Sequence, residues 1–157
     1  MVYALEKNAD QRLIHSGTSW EQFKLIQAGF SDSPGIRLFY HKGEVEILAV
    51  SPEHEVFKSV IGHLVETYLV EQGIEFYPTG SMTQEIEQVV SAQADESYCI
   101  GEIKAASARH GKNPIPDLSI EVVFTSGGVF KLNRYQALEV PEVWFWEDGV
   151  FALYHFR

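Results

Sequence analysis

The chain has 157 residues, of which 45% are hydrophobic and 13% aromatic, so it can form one folded domain and is not a disordered protein. Its net charge of −10 argues against non-specific binding to nucleic acid, although it does not exclude a local basic patch. An acidic chain can also bind a divalent metal, or its charge can simply keep the protein soluble. A single cysteine excludes an intramolecular disulfide and a thiolate zinc cluster, and no apolar run approaches the roughly 20 residues of a membrane-spanning helix.

The first third of the chain predicts an arm, a helix and a hairpin. Residues 1–17 are expected to form a loosely organised arm. Ser19 and Gln22 have the spacing of a capping box, which predicts a helix from residue 20 to about residue 28. The apolar runs 36–40 and 45–50 flank a polar turn sequence and predict a hairpin.

A long helix should begin at Ser51-Pro52, since proline is favoured at the first helical position. Apolar residues recur at helical spacing as far as Gly73, where we expect the helix to end. The elements expected after it are short strands at 74–78 and 81–85, a strand around 98–100, an exposed basic loop at 104–113, a strand at 118–124, a helix at 130–138 and a hairpin of 143–146 with 150–156. Together these elements predict an α/β (α+β) protein whose helices pack against a central mixed sheet.

The stretch from residue 115 to residue 123 predicts a buried strand that carries two acids. Because side chains alternate along a strand, Asp117 and Glu121 should project from the same face. A carboxylate inside a sheet costs free energy unless it is paired or bound to a metal, so two of them indicate a site. Asp117 could also simply start the strand after Pro116, whereas Glu121 has apolar neighbours on both sides and is harder to explain structurally.

Asp95, Asp117, Glu121 and Lys131 are the residues that could carry chemistry. Carboxylates on neighbouring strands can hold a hard divalent cation, and a nearby lysine can orient a water and offset charge on a phosphate. That combination is suited to metal-assisted hydrolysis of phosphodiesters. The residues also have structural interpretations: Asp95 could cap a turn, and Lys131 could be a solvated residue in the first turn of a helix.

Several motifs together resemble a large bacterial family of restriction-endonuclease-like proteins in the PD-(D/E)XK nuclease superfamily. The resemblance covers roughly residues 19–157 and rests on the segments 43–47, 51–55, 93–98, 116–123, 125–128, 131–135 and 140–144. It implies a restriction-endonuclease-like core in which residues 1–157 form a single nuclease-like domain.

The resemblance also implies roles for individual residues. Asp95 resembles the aspartate of the family's Pro-Asp motif, although Ala94 stands where proline is usual. Glu121 resembles the acid of the (D/E)XK motif, so Asp95 and Glu121 would be the metal ligands. The motif's lysine position is occupied by Val123, and Lys131 matches the place on the following helix from which this family supplies its lysine. Asp117 belongs to a second Pro-Asp pair and would support the site.

Two residues of the long helix are further candidates for supporting roles. Glu66 matches a helical acid that approaches the site in many such nucleases, and a solvated helix face explains it equally well. His54 belongs to a family-like Ser-Pro-x-His segment and could line the site or pack at the helix start. The aromatic residues of the last hairpin could stack on bases, pack in the core or form a homodimer contact.

Three functions follow from these observations. The first is a DNA endonuclease that depends on Mg²⁺ (or Mn²⁺), with Asp95, Glu121 and Lys131 as its catalytic residues. The alternative is a catalytically silent nuclease-fold protein that acts as a binding or assembly module. A third is hydrolysis of another phosphate ester at the same site. The N-terminus lacks the pattern of a secretory signal, so we expect a cytoplasmic protein without a membrane partner.

Overall fold

The computed structural model describes residues 9–101, 115–124 and 128–156 of the chain. Within these ranges the elements are, in chain order, β1 (Gln11–Ser16), α1 (Trp20–Gly29), β2 (Ile36–His41), β3 (Glu44–Ala49), α2 (Pro52–Glu71), β4 (Phe76–Pro78), β5 (Thr83–Ile86), β6 (Val90–Gln93), β7 (Glu96–Ile100), β8 (Leu118–Val123), α3 (Gly128–Ala137), β9 (Glu142–Glu147) and β10 (Val150–His155). The expected basic loop at 104–113 lies outside the described residues.

The described strands form two five-stranded sheets. The first, which we call the antiparallel sheet, has the order β1-β3-β2-β6-β5. The second, the mixed sheet, has the order β10-β9-β8-β7-β4, in which only β8 and β9 run parallel. The predicted fold class is confirmed, because helices pack on a mixed sheet that contains the acid-bearing strand. The separate antiparallel sheet was not predicted.

Local sequence signals explain the first helix and the hairpin. The Ser19 hydroxyl accepts a hydrogen bond from the Gln22 amide at 3.2 Å, and the Gln22 side chain accepts one from the Ser19 amide at 2.8 Å. These two bonds form the expected capping box. The β2–β3 hairpin turns at Lys42-Gly43, where both residues have positive φ, 50° and 79°, as a tight turn with the twist of a hairpin requires.

The prediction of a loosely organised arm was wrong for residues 11–16, which form β1 and pair with β3 along its whole length. This strand lies at an edge of the antiparallel sheet, and most of its side chains are exposed. An exposed edge strand needs no apolar alternation, so the sequence pattern carried no signal for it. The β6 strand was also missed, although the neighbouring β5 strand and the last hairpin formed where they were expected.

The central strand β8 is buried along its whole length and separates two apolar clusters. Leu118, Ile120 and Val122 face α2 and pack against its inner apolar side chains, Ile61, Val65 and Leu69. Val123 packs on the opposite side, with Tyr135 of α3 and with Leu138, which directly follows that helix. Glu121 lies on the same strand face as Val123, as the alternation predicts, and therefore projects between the mixed sheet and α3.

Candidate active site

Asp95, the residue just before β7, lies next to Glu121 of β8 in the mixed sheet. In the β7–β8 ladder Glu96 pairs with Ile120, so the next position along places Asp95 opposite Glu121. The Asp95 amide donates to the Ile120 carbonyl at 3.1 Å, and one Asp95 carboxylate oxygen accepts from the Val122 amide at 2.7 Å. The partners of Asp95 in these two bonds, Ile120 and Val122, are the residues immediately before and after Glu121. Both carboxylates are 1% exposed, so the two acids form a buried pair.

Helix α3 supplies the partners of Glu121. The Lys131 Nζ lies 3.4 Å from Glu121 Oε2, and the Tyr135 hydroxyl donates a hydrogen bond to Oε1 of the same carboxylate. Positions 131 and 135 are four residues apart, so they lie on the same face of the helix. Lys131 Nζ also lies 5.0 Å from the centre of the Phe39 ring, within the range of a cation–π contact.

Burial raises the pKa of Glu121 to about 7. The negative charges of Asp95 and Glu46 act in the same direction, while Lys131 and the Tyr135 hydroxyl partly oppose them. Burial and the adjacent Glu121 carboxylate in turn hold the pKa of Tyr135 well above its ordinary value, so that this phenol remains a hydrogen-bond donor. Lys131 therefore offsets only part of the cost of burying the ionised Glu121 carboxylate.

His54 joins Asp95 to the residue before β1. Its Nδ1 lies 2.7 Å from Oδ2 of Asp10, and its Nε2 lies 2.9 Å from Oδ1 of Asp95, although the second contact lacks good hydrogen-bond geometry. Burial lowers the pKa of His54, but the two carboxylates outweigh that effect and raise it to about 9. The imidazole is fully buried and is held as a cation at neutral pH, which balances Asp95.

Arg37 provides a second positive group beside Asp95. Its Nε lies 4.0 Å from Oδ1 of Asp95 and, among the described residues, has no hydrogen-bond partner. Its Nη2 donates to Glu55 at 3.2 Å. A cleft of about 570 Å³ is lined by Arg37, Ser51, Glu55 and Ser81 among others, so it borders one side of this arginine.

A third buried acid, Glu46 on β3, extends the polar cluster toward the antiparallel sheet. Its carboxylate contacts Arg134 of α3 at 2.7 Å and Arg12 of β1 at 3.0 Å. Burial disfavours the charged carboxylate, but Arg134 and Lys131 outweigh this and hold the pKa of Glu46 below its usual range. This ion-paired group links two strands of the antiparallel sheet to the helix that carries Lys131.

Two of the expected supporting residues lie away from the acid pair. The Asp117 carboxylate accepts from the Ile100 amide at 2.8 Å at the other end of the ladder, and four residues of strand separate it from Glu121 by roughly 13 Å. Glu66 accepts from the Tyr98 hydroxyl at 3.4 Å on the α2 side of the mixed sheet, whereas Glu121 projects toward α3. The structure therefore brings together Asp95, Glu121, Lys131 and His54, but not Asp117 or Glu66.

Asp10, Tyr135 and Glu46 belong to the cluster but were not proposed from the sequence. Asp10 falls in the segment taken for an arm, where no local pattern marks it. Tyr135 could have been found from its spacing of four residues from Lys131 on an expected helix. Glu46 carries the same signal that singled out Glu121, since it is an acid with apolar neighbours on both sides in a strand.

The acid pair has the oxygen donors that a hard cation prefers. Mg²⁺ in proteins commonly takes one or two carboxylates and fills its other positions with water and phosphate oxygens. Asp95 and Glu121 would supply those two carboxylates, and the raised pKa of Glu121 indicates a site that lacks positive charge. Within the described part of the chain, no three His, Cys, Asp or Glu side chains come together as a metal-binding group.

The family model described as "Uma2: Putative restriction endonuclease" matches residues 20–157. No curated protein matches the chain. Over the residues that the structure describes, we find no helix with the length and apolar character needed to cross a membrane.

Proposed function

Because the chain belongs to the Uma2 family of putative restriction endonucleases, we propose that it is a metal-dependent endonuclease that hydrolyses phosphodiester bonds in DNA. The observation that supports this proposal best is the buried pair of Asp95 and Glu121, with the Lys131 amine 3.4 Å from the second acid.

We propose Asp95 and Glu121 as the ligands of Mg²⁺ or Mn²⁺. Such an ion supplies positive charge to the phosphate and lowers the pKa of a bound water. On the protein's side, Asp95 is oriented by the Val122 amide and by His54, so its carboxylate has a fixed direction. Glu121 is oriented by the Tyr135 hydroxyl. These partners hold both ligands in place before a substrate binds, which lowers the cost of assembling the site.

Lys131 is proposed to act on the reacting phosphate group or on the attacking water. Its amine lies between the Glu121 carboxylate and the Phe39 ring, and 5% of the residue is exposed. An ammonium group in a site of low water content can stabilise the charge that develops on a phosphate more strongly than it could in bulk solvent. Lys131 thus supplies the amine that is missing from the central strand, where Val123 occupies the lysine position of the motif.

A second candidate function is a catalytically silent nuclease fold that binds or assembles with other molecules. The observation that favours it is the internal pairing of the cluster, in which Asp95, Glu121 and Lys131 are each at most 5% exposed. Each charge already has a partner within the protein, and the net charge of the chain is −10. This candidate predicts neither hydrolysis of DNA nor stabilisation by a divalent cation.

Cleavage of supercoiled plasmid in Mg²⁺ or Mn²⁺ separates the two functions. We expect the wild-type protein to nick or linearise the plasmid, and we expect Glu121→Gln and Lys131→Ala to lower the rate by about 100-fold or more. Glu71→Gln and Lys24→Ala are matched controls, because they remove the same charges at exposed or half-exposed positions outside the cluster. Equal cleavage by all five proteins would reject the assigned site, and no cleavage by wild type in either metal would favour the silent fold.

A further inference from the structure

Helix α2 carries a row of apolar side chains on its outer surface. Val56, Val60, Leu64 and Tyr68 are spaced four residues apart, and between 52% and 62% of each is exposed. The inner face of α2 is a different set of residues, which packs on the mixed sheet. Residues four apart form a ridge along a helix, and such ridges fit into the grooves of a second helix. This ridge has no covering element among the described residues.

An apolar groove lies directly beside the ridge. It encloses about 200 Å³ between α2 and the last two strands, and its lining residues are Ile61, Leu64, Val65, Tyr68, Trp144 and Phe151. All of them are apolar or aromatic, so the groove offers almost no hydrogen-bonding groups to a ligand. Pockets for small molecules are generally larger, from about 300 Å³ upward, and contain a few directed polar groups. The groove is therefore suited to one or two bulky apolar side chains.

The apolar surface continues onto β10, the edge strand of the mixed sheet. Phe151 and Leu153 project from the same face of this strand and are 41% and 59% exposed. With the ridge they form one surface, the α2–β10 patch, consisting of Val56, Val60, Leu64, Tyr68, Phe151 and Leu153. Its exposed apolar area is on the order of 600 Å², at the upper end for the largest patch of a monomer. A stable dimer buries about 800 Å² on each partner, so this patch and a polar rim would suffice.

We propose that the α2–β10 patch is the interface of a two-fold symmetric homodimer. Such an interface uses the same patch on both subunits, so the patch must contain both a projecting part and a receiving part. The α2–β10 patch has both, because the ridge of α2 stands next to the groove between α2 and Phe151. A second copy can place its ridge or Leu153 in this groove while its own groove receives the same side chains in return.

The mass of the full-length protein in solution tests this proposal. Sedimentation equilibrium over a range of concentrations should give a mass that rises from the 17.8 kDa monomer to twice that value for the wild type. Leu64→Glu on the ridge and Leu153→Lys on the strand should each raise the dimer dissociation constant by at least about tenfold. Leu25→Glu is the matched control, since Leu25 is 74% exposed on α1, away from the patch, and should leave the dimer intact.

The outcomes are distinct. All of these positions are exposed, so circular dichroism and thermal unfolding should confirm that the three variants fold like the wild type. Wild-type protein that remains a monomer at every concentration would overturn the proposal and would assign the patch to another segment or to a different protein. A dimer that persists equally in Leu64→Glu, Leu153→Lys and Leu25→Glu would place the interface elsewhere and would also overturn it.

Discussion

The Nζ atom of Lys131 on helix α3 lies 3.4 Å from Oε2 of Glu121 on the buried strand β8. The pair joins α3 to β8, the strand that precedes this helix in the chain. Glu121 also lies next to Asp95, the residue just before the neighbouring strand β7. The Glu121 carboxylate therefore lies between Lys131 of α3 and Asp95, the two other residues of the proposed site.

Stability should reveal the coupling between Glu121 and Lys131. At pH 8 we expect Lys131→Met to lower the free energy of unfolding by about 3–5 kcal/mol, because it leaves the buried carboxylate of Glu121 without its ammonium partner. Adding Glu121→Gln should recover more than half of that loss, since the unpaired charge is then absent. A double-mutant cycle by urea unfolding measures the interaction. Strictly additive effects of the two changes would contradict the pairing.

The His54 network should make stability depend on pH above neutrality. The pKa of His54 rises from 6.5 in the unfolded chain to about 9 in the folded protein, so the stabilisation is complete below pH 6.5 and is lost as the pH rises to 9. The difference corresponds to about 3 kcal/mol. Urea unfolding of wild type and His54→Gln across this range checks it. A slope that is the same in both proteins would show that His54 does not titrate in this way.

Divalent cations should stabilise the folded protein if Asp95 and Glu121 bind them. At a metal concentration of 100 times the dissociation constant, the expected gain is about 2.7 kcal/mol. For a chain of this length each kcal/mol raises the melting temperature by about 2–4 °C. Thermal unfolding with and without Mn²⁺ measures the shift, which should vanish in Glu121→Gln and persist in Glu71→Gln. An equal shift in both variants would indicate binding at another place.

Glu46 offers a test of the polar cluster at a carboxylate other than the two proposed metal ligands. Glu46→Gln should cost about 3–5 kcal/mol, because it removes the charge opposite the buried guanidinium of Arg134. Glu44→Gln is a close control: Glu44 contacts the same arginine at 3.5 Å, but its side chain is 44% exposed. Such an exposed pair contributes at most about 1 kcal/mol. Similar losses in both variants would contradict the role assigned to burial.

Patterns that are local in sequence predicted much of this fold. Three such patterns are the capping box at Ser19, the proline that begins α2 and the Asp148-Gly149 turn. Each acts through residues that are neighbours in the chain, so each can be recognised from one sequence alone. The edge strand β1 could not be predicted, because its stability comes from pairing with β3, 30 or so residues away, and not from its own pattern. The division into two sheets depends on the same long-range pairing.

The candidate site was only partly predictable for a related reason. Glu121 stood out because an acid between apolar neighbours in a strand needs an explanation. Asp95 and Lys131 were candidates by residue type alone, and the family resemblance assigned them their specific roles. Asp10 could not be found, since its relation to His54 exists only after residues 44 positions apart have come together.

The most direct test of the proposed function is the rate of plasmid cleavage by wild type and Glu121→Gln in Mg²⁺ and Mn²⁺, with both proteins shown to be folded. Metal-dependent cleavage by the wild type, stopped by a chelator and reduced about 100-fold or more in Glu121→Gln, is the expected result. Cleavage at the same rate by both proteins would contradict the assignment of the nuclease site to the Asp95–Glu121 pair.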